Sequence, residues 1–437
     1  MTVFIITAAN IDILLQTAND LILFLKNITR PESLPISSYL CHMIQTDEFR
    51  LFVKEHAGDD LTRLLLSASR YPSVDIPFAV EQIAARRQIR DKLPLWYMND
   101  ALLFPSKISA EQCSSEQTAL YKQRLVKEGD TLCDLTGGLG IDSYYFSRKA
   151  RHVTYIERFP AYCEAARNNF SVLGADNITI IEGDSTSLAT QLPEVDAFYI
   201  DPARRGEGNK RVFALSDCEP DLPALLPELF RHAPKVIAKL SPMADIRLTL
   251  DLLPGTTEVH VLSVKNECKE LLFVVGREAN VETPVIHCIN YTSSGEEESF
   301  TFSLQDERNE DLRLGGQVKN YLYEPNASLL KAGAFKSVAT AFALKKLHVS
   351  SHLYTSDVKL ETFPGRSFVV EEVYPFTGKL CKGLVKTIPQ ANITVRNFPL
   401  SVEELRKRTK IADGGKVYLF ATTLVNGDKI LVKCHKF

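Results

Sequence analysis

Apolar residues recur at three- and four-residue spacing through 11–26, 37–56, 60–69 and 76–93, which predicts amphipathic helices and a helical domain over residues 1–108. A further helix is expected at 114–126. From residue 131 the rhythm changes. Short apolar runs at 131–135, 152–157, 178–182, 197–201, 236–240 and 271–275 alternate with helical patterns, as in a doubly wound, mostly parallel sheet. This α/β domain is expected over 109–276. Past 277 come alternating strands at 285–291 and 299–304, an acidic stretch at 306–311 and a long helix at 328–346, predicting a small α+β domain over 277–356. A second α+β domain over 361–437 is read from strands at 367–373 and 393–398, helices at 379–385 and 402–410, and a hairpin of 417–425 with 429–434 around Asn426–Gly427.

The 437 residues, 45% hydrophobic and 24% charged, suit several globular domains. Polar residues interrupt every apolar patch near the start, so neither a membrane span nor a secretory leader is expected. Nine cysteines lie scattered without a C-x-x-C pair, and the nine histidines show no clustering in sequence. That pattern points to a reduced, cytoplasmic protein without a metal. Net charge is -3, yet residues 378–437 hold twelve Lys or Arg against four Asp or Glu, so this tail is +8 and the rest -11. Such asymmetry suggests a polyanion-facing module.

The stretch 131–143, T-L-C-D-L-T-G-G-L-G-I-D-S, places a strand-end carboxylate, Asp134, ahead of Gly137, Gly138 and Gly140 and then a helix. As a dinucleotide fingerprint it is imperfect, because Ser143 stands where G-x-G-x-x-G needs its third glycine. Asp134 would also repel a pyrophosphate, which argues against a nicotinamide-dependent oxidoreductase, whereas it could attract an ammonium or sulfonium cation. Glu157 ends the next strand, where a ribose diol could donate to it. Asp184–Ser185 ends the third and Asp201–Pro202–Ala203–Arg204 the fourth. Four acids at successive, solvent-facing strand ends mark the ligand edge of an α/β sheet.

Over 114–275 the sequence resembles the class I S-adenosylmethionine-dependent methyltransferases, whose domain is Rossmann-like. That resemblance implies that the loop Asp134–Gly140 holds the methionine part of the cofactor, Glu157 its ribose, and Asp184 with Ser185 its adenine; Thr136 replaces the usual first glycine. Asp201–Pro202–Ala203–Arg204 resembles the Asn/Asp-Pro-Pro-aromatic tetrapeptide of amino-group methyltransferases and the Asp-Pro-Pro-Arg tetrapeptide of several RNA methyltransferases, which implies that Asp201 aims an acceptor amine at the methyl group. Ala203 and Arg204 depart from the second proline and from the aromatic of the related tetrapeptide. With Glu111–Lys122 (E-Q-C-S-S-E-Q-T-A-L-Y-K) and the basic tail, nearly the whole chain resembles a bacterial methyltransferase group with a ferredoxin-like middle domain and a THUMP-like C-terminal domain. THUMP domains proper bind RNA, which implies an RNA substrate.

Three other chemistries are open to comparison. Methylation of pyrimidine C5 wants a cysteine after the fifth strand, where the chain has Lys239–Leu240–Ser241–Pro242. Ribose 2′-O-methylation in one family uses a Lys-Asp-Lys-Glu set, and Lys122, Asp201, Lys239 and Glu267 or Glu270 occur in that order. Methylation of a free small molecule would not require the basic tail. A reading from another class is a catalytically silent RNA-binding protein that keeps the fold as a scaffold. Candidate RNA contacts are Arg205, Lys210 and Arg211 with Arg204 after the catalytic turn, and Arg396, Arg406, Lys407, Arg408 and Lys410 in the tail, with Phe398 as a stacking surface. Trp96 reads as a packing anchor.

Overall fold

The computed structural model describes residues 46–204, 215, 218–279 and 283–437. The helix expected at 11–26 and residues 37–45 of that at 37–56 lie outside these residues, as do Arg205, Lys210 and Arg211.

The helices Asp47–Glu55, Leu61–Leu66 and Ile76–Ile89 each start where a side-chain oxygen, of Thr46, Asp60 or Asp75, accepts an otherwise orphaned backbone N–H. Their apolar faces meet in one cluster with Leu103 and with Ala165 of the helix Pro160–Val172, so this module packs directly on the α/β domain. Buried Asn169 fixes the seam: its amide accepts from the Leu103 N–H at 2.7 Å and donates to the Leu103 carbonyl at 2.8 Å. Trp96 is fully buried and meets Tyr144 edge-on.

In chain order the strands are β1 (Thr131–Asp134), β2 (His152–Glu157), β3 (Ile178–Glu182), β4 (Ala197–Ile200), β5 (Ala203–Arg204), β6 (Cys218–Glu219), β7 (Lys235–Leu240), β8 (Thr256–Val264), β9 (Glu267–Gly276), β10 (Val285–Tyr291) and β11 (Glu297–Ser303). The second half adds β12 (Tyr321–Pro325), β13 (Lys345–Lys346), β14 (Tyr354–Ser356), β15 (Gly365–Pro375), β16 (Gln390–Arg396), β17 (Ala412–Thr423) and β18 (Lys429–Lys436).

A nine-stranded sheet runs β11-β10-β8-β9-β7-β4-β1-β2-β3. Its half from β3 to β7 is parallel, so both faces are covered and β4 is buried along its whole length. Strand β8 was not expected from the apolar runs. A correction also falls on the boundary at 277. The strands 285–303, assigned to the middle domain, extend this first sheet, because β10 pairs with β8 in register from Val285 to Tyr291.

The second sheet runs β13-β14-β12-β15-β18-β17-β16. It joins into one layer the two C-terminal modules expected to be separate, through the antiparallel pair β12–β15. The single helix expected at 328–346 is two, Ala327–Ala332 and Phe335–Ala341, because Gly333 takes φ +77° and ends the first. Leu329, Val338 and Ala339 from these helices share a core with Val259, Val261 and Cys288 of the first sheet, so the helices lie between the two sheets.

Candidate functional site

At the carboxyl edge of the parallel strands, β1 ends in Asp134 and the chain turns through Leu135–Leu139 into the helix Ile141–Ser147. The turn lies against the Tyr155 ring: a Cβ at Gly137 would come within 2.2 Å of it, and one at Gly140, where φ is +84°, within 2.7 Å of Phe170. Only glycine fits at either place. Thr136, which stands in place of a glycine, has its own function, since its Oγ1 accepts the Asp201 N–H at 2.7 Å and ties the loop to the end of β4.

Asp134 does not face solvent as expected; it is 1% exposed. It accepts from Ser143 Oγ at 2.6 Å and from the Thr136 N–H at 3.0 Å, but burial outweighs these bonds and pushes its carboxyl up to about 7, with Asp142 and Asp201 adding repulsion. Glu157 accepts from the Gly138 N–H at 2.9 Å and the Phe159 N–H at 2.8 Å, which leaves further lone pairs for a diol. Asp184 caps the turn after β3 by accepting from the Ser187 N–H at 2.8 Å. Asp134, Thr136, Gly137, Gly138, Gly140, Glu157, Asp184, Ser185, Asp201 and Lys239 all line one cleft of about 230 Å³.

Several cleft residues were not among the site residues expected from the sequence. Half-exposed Phe159 stands at the rim; Ser109, Gln112, Cys113 and Ser114 close one wall from outside the strand–helix pattern; Glu219 and Pro220 close another. Cys113 does bring a thiol to the cleft, but burial pushes that thiol up, away from the thiolate that C5 chemistry requires.

Behind the cleft lies a buried charge network. Lys239 forms an ion pair with Asp201. Burial opposes its charge, yet Asp201, Glu270 and Asp142 outweigh burial and hold the ammonium charged beyond its ordinary range. Fully buried Lys122 reaches Glu270 at 2.9 Å, Asp142 at 3.0 Å and Ser114 Oγ at 2.7 Å. Asp142 also accepts from Tyr199 Oη at 2.7 Å. Thus the four residues fall into two adjacent groups, Lys239 with Asp201 and Lys122 with Glu270 and the unforeseen Asp142, and the charges of Glu270 and Asp142 are felt at Lys239 without direct contact, while Glu267 pairs with Lys269 at 2.7 Å instead. After Pro202 the backbone of Arg204 pairs with that of Cys218 in a short two-stranded ribbon.

In the tail, two expected RNA contacts are already engaged. Arg396 meets buried Glu324 at 2.8 Å beside Arg366, and Arg406 pairs with Asp413 and donates to the carbonyls of Ala391 and Ile411. Lys407, Arg408 and Lys410 are exposed, and Phe398 packs edge-on against Phe376. Two of the histidines, expected to be dispersed, meet across strands: His260 and His287 stack with ring centroids 4.6 Å apart.

Comparison with known proteins settles the kinship. Family models match residues 321–364, a ferredoxin-like domain, and 365–436, a THUMP domain-like module. A solved structure from Porphyromonas gingivalis W83, described as a candidate methyltransferase, is 40% identical, covers 90% of this chain and 98% of its own, and superposes with a TM-score of 0.83. The chain belongs to that methyltransferase family. Its architecture is therefore a Rossmann-like class I methyltransferase domain followed by ferredoxin-like and THUMP-like modules. Elsewhere the likeness is local. The Methanocaldococcus jannaschii protein MJ1452 is 39% identical to this chain over 75 residues, 16% of this chain and 29% of that protein. A Streptococcus mutans structure in complex with SAH covers 37% of this chain at 10% identity with a TM-score of 0.28, too low to bear on function. Among the described residues no helix is long and apolar enough to cross a membrane.

Proposed function

We propose that this protein transfers the methyl group of S-adenosylmethionine to a base nitrogen of RNA, with Asp201 positioning the acceptor. The observation that carries the proposal is the convergence of Asp134, Glu157, Asp184 and Asp201 on one cleft beneath a loop where only glycine fits. The chemistry of the donor set fits the cofactor: a buried acid pushed up to about 7 for a cation, Glu157 for a ribose diol, and Asp184 with Ser185 for the adenine edge. When bound, the cofactor supplies an electrophilic methyl group on a sulfonium. The protein's own contribution is position and exclusion of water. Asp201, held by Lys239 on one oxygen, keeps its other oxygen for an acceptor amine. RNA as substrate rests on the THUMP-like module and on exposed Lys407, Arg408 and Lys410. The test is nucleoside mass spectrometry on bulk RNA from cells with and without the protein. One methylated base should disappear and return when the purified protein and cofactor are added; an unchanged nucleoside profile overturns the reading.

One observation favours a second acceptor, the ribose 2′-hydroxyl. Lys239 and Asp201 line the cleft, the Lys122–Glu270 pair lies near enough for Glu270 to hold Lys239 charged, and a lysine held as an ammonium lowers the pKa of a hydroxyl nucleophile. The same mass spectra separate the two, because a 2′-O-methyl group stays with the ribose.

A further inference from the structure

Glu258 and His260 stand two residues apart on β8 and therefore share one face of the sheet. His287, on the parallel neighbour β10, is the register partner of His260 and lies on that same face. Three potential ligand atoms, one from each residue, lie within 4.8 Å of one another. Glu258 Oε2 is 3.0 Å from His260 Nε2 and 3.7 Å from His287 Nε2. Each imidazole is meanwhile held by its other nitrogen. His260 Nδ1 meets Tyr121 Oη at 2.8 Å, and His287 Nδ1 meets Thr301 Oγ1 at 3.2 Å. Hydroxyl partners at both Nδ1 atoms can accept from Nδ1–H, the tautomer that leaves both Nε2 atoms as free acceptors beside Glu258 Oε2. Metal-binding histidines are oriented in this way. The rings stack within 10° of parallel, so a shared ion requires one imidazole to tilt toward the other.

We propose that Glu258, His260 and His287 form a binding site for one divalent cation of the zinc class, with Tyr121 and Thr301 as positioning residues. Two imidazoles and a carboxylate select a borderline cation over magnesium or calcium, which prefer oxygen donors throughout. His260 is buried while the Glu258 side chain is 44% exposed, so three ligands come from the protein and solvent completes the shell. The site does not belong to the cleft. It ties β10, the strand that extends the catalytic sheet, to β8, and it reaches the helix Glu116–Lys122 through Tyr121. The next residue of that helix is Lys122 of the buried charge network, so a bound ion would fix the helix that supplies it.

The test uses the full chain, stripped with a chelator and titrated with Co²⁺ and then Zn²⁺ alone. One equivalent should bind, giving visible d–d absorption without the thiolate-to-cobalt charge-transfer band that the chain's cysteines would produce. His287→Ala and Glu258→Gln should each weaken binding about 100-fold or more, and Tyr121→Phe, which keeps the ring, about 10- to 100-fold. Zn²⁺ should raise the melting temperature of the wild type and not that of His287→Ala. Absence of a saturable cobalt spectrum in the wild type overturns the site, as does a thiolate band, or an affinity that His287→Ala and Tyr121→Phe leave unchanged. Should the ligand variants fail to fold, the wild-type spectrum and Tyr121→Phe still decide the question.

Discussion

Replacing Asp134 by Asn sets stability against function at a single residue. In the unfolded chain this acid ionises near its ordinary 3.8, whereas in the fold burial moves it to about 7. Between those values the folded state holds a proton that the unfolded state has lost, so stability falls as pH rises from about 4 to about 7. Above 7 the fold carries the whole cost of a buried carboxylate. At ~1.36 kcal/mol per pH unit, that cost is roughly 4 kcal/mol. Asparagine removes the charge, but its single side-chain oxygen replaces two that accept from Ser143 Oγ and the Thr136 N–H, which costs about 1–2 kcal/mol. The variant should therefore be more stable than the wild type by about 2 kcal/mol at pH 8, and by progressively less as pH falls toward 5. Urea unfolding at pH 5, 6, 7 and 8 measures this directly. Calorimetric titration with S-adenosylmethionine supplies the second half: loss of one charge-assisted contact, worth ~1.5–3 kcal/mol, should weaken binding about 10- to 150-fold. An Asn variant less stable than the wild type at pH 8, or a stability difference indifferent to pH, would refute the reasoning about burial. Unchanged affinity would refute the assignment of the cation.

Glu157→Gln should weaken cofactor binding by about 10-fold or more, since a neutral amide accepts more weakly from a diol, and calorimetry would register it. Asp201→Ala should abolish transfer with cofactor affinity nearly unchanged; Lys239→Met, assayed by methyl incorporation, should be as damaging only if the acceptor is a hydroxyl. Lys122→Met strands Glu270 and Asp142 as buried carboxylates and should destabilise the protein by about 3–5 kcal/mol in urea titration. Reversing Lys407, Arg408 and Lys410 to Glu should weaken RNA binding and flatten its salt dependence by about 2 in log–log slope, at ~0.7 per phosphate contact for a single strand. Arg406→Glu should instead lower stability, because its guanidinium pairs with Asp413 and two carbonyls.

The sequence by itself determined the parts governed by local spacing. Strands β1, β2, β4 and β7 announce themselves as short apolar runs, since a strand covered on both faces is mostly apolar, and β3, only partly buried at the sheet edge, still reads as one through its three isoleucines. Each of the acids Asp134, Glu157, Asp184 and Asp201 follows such a run or ends it, so their convergence follows from strand direction alone. Tertiary structure decided what depends on long-range pairing. Nothing local distinguishes β10 as a partner of β8 from a strand of the next domain; the pairing joins residues 27 apart and is set by which edge the first sheet leaves open. The depth of Asp134 is likewise invisible in its spacing, because Thr136, Ser143 and the helix wall close over it only in the fold. Arg396 and Arg406 read as free cations in the chain and become ion-pair partners once β12 and β17 bring Glu324 and Asp413 alongside. His260 and His287 meet for the same reason: parallel register sets their rings side by side, and no sequence motif records a contact made across two strands.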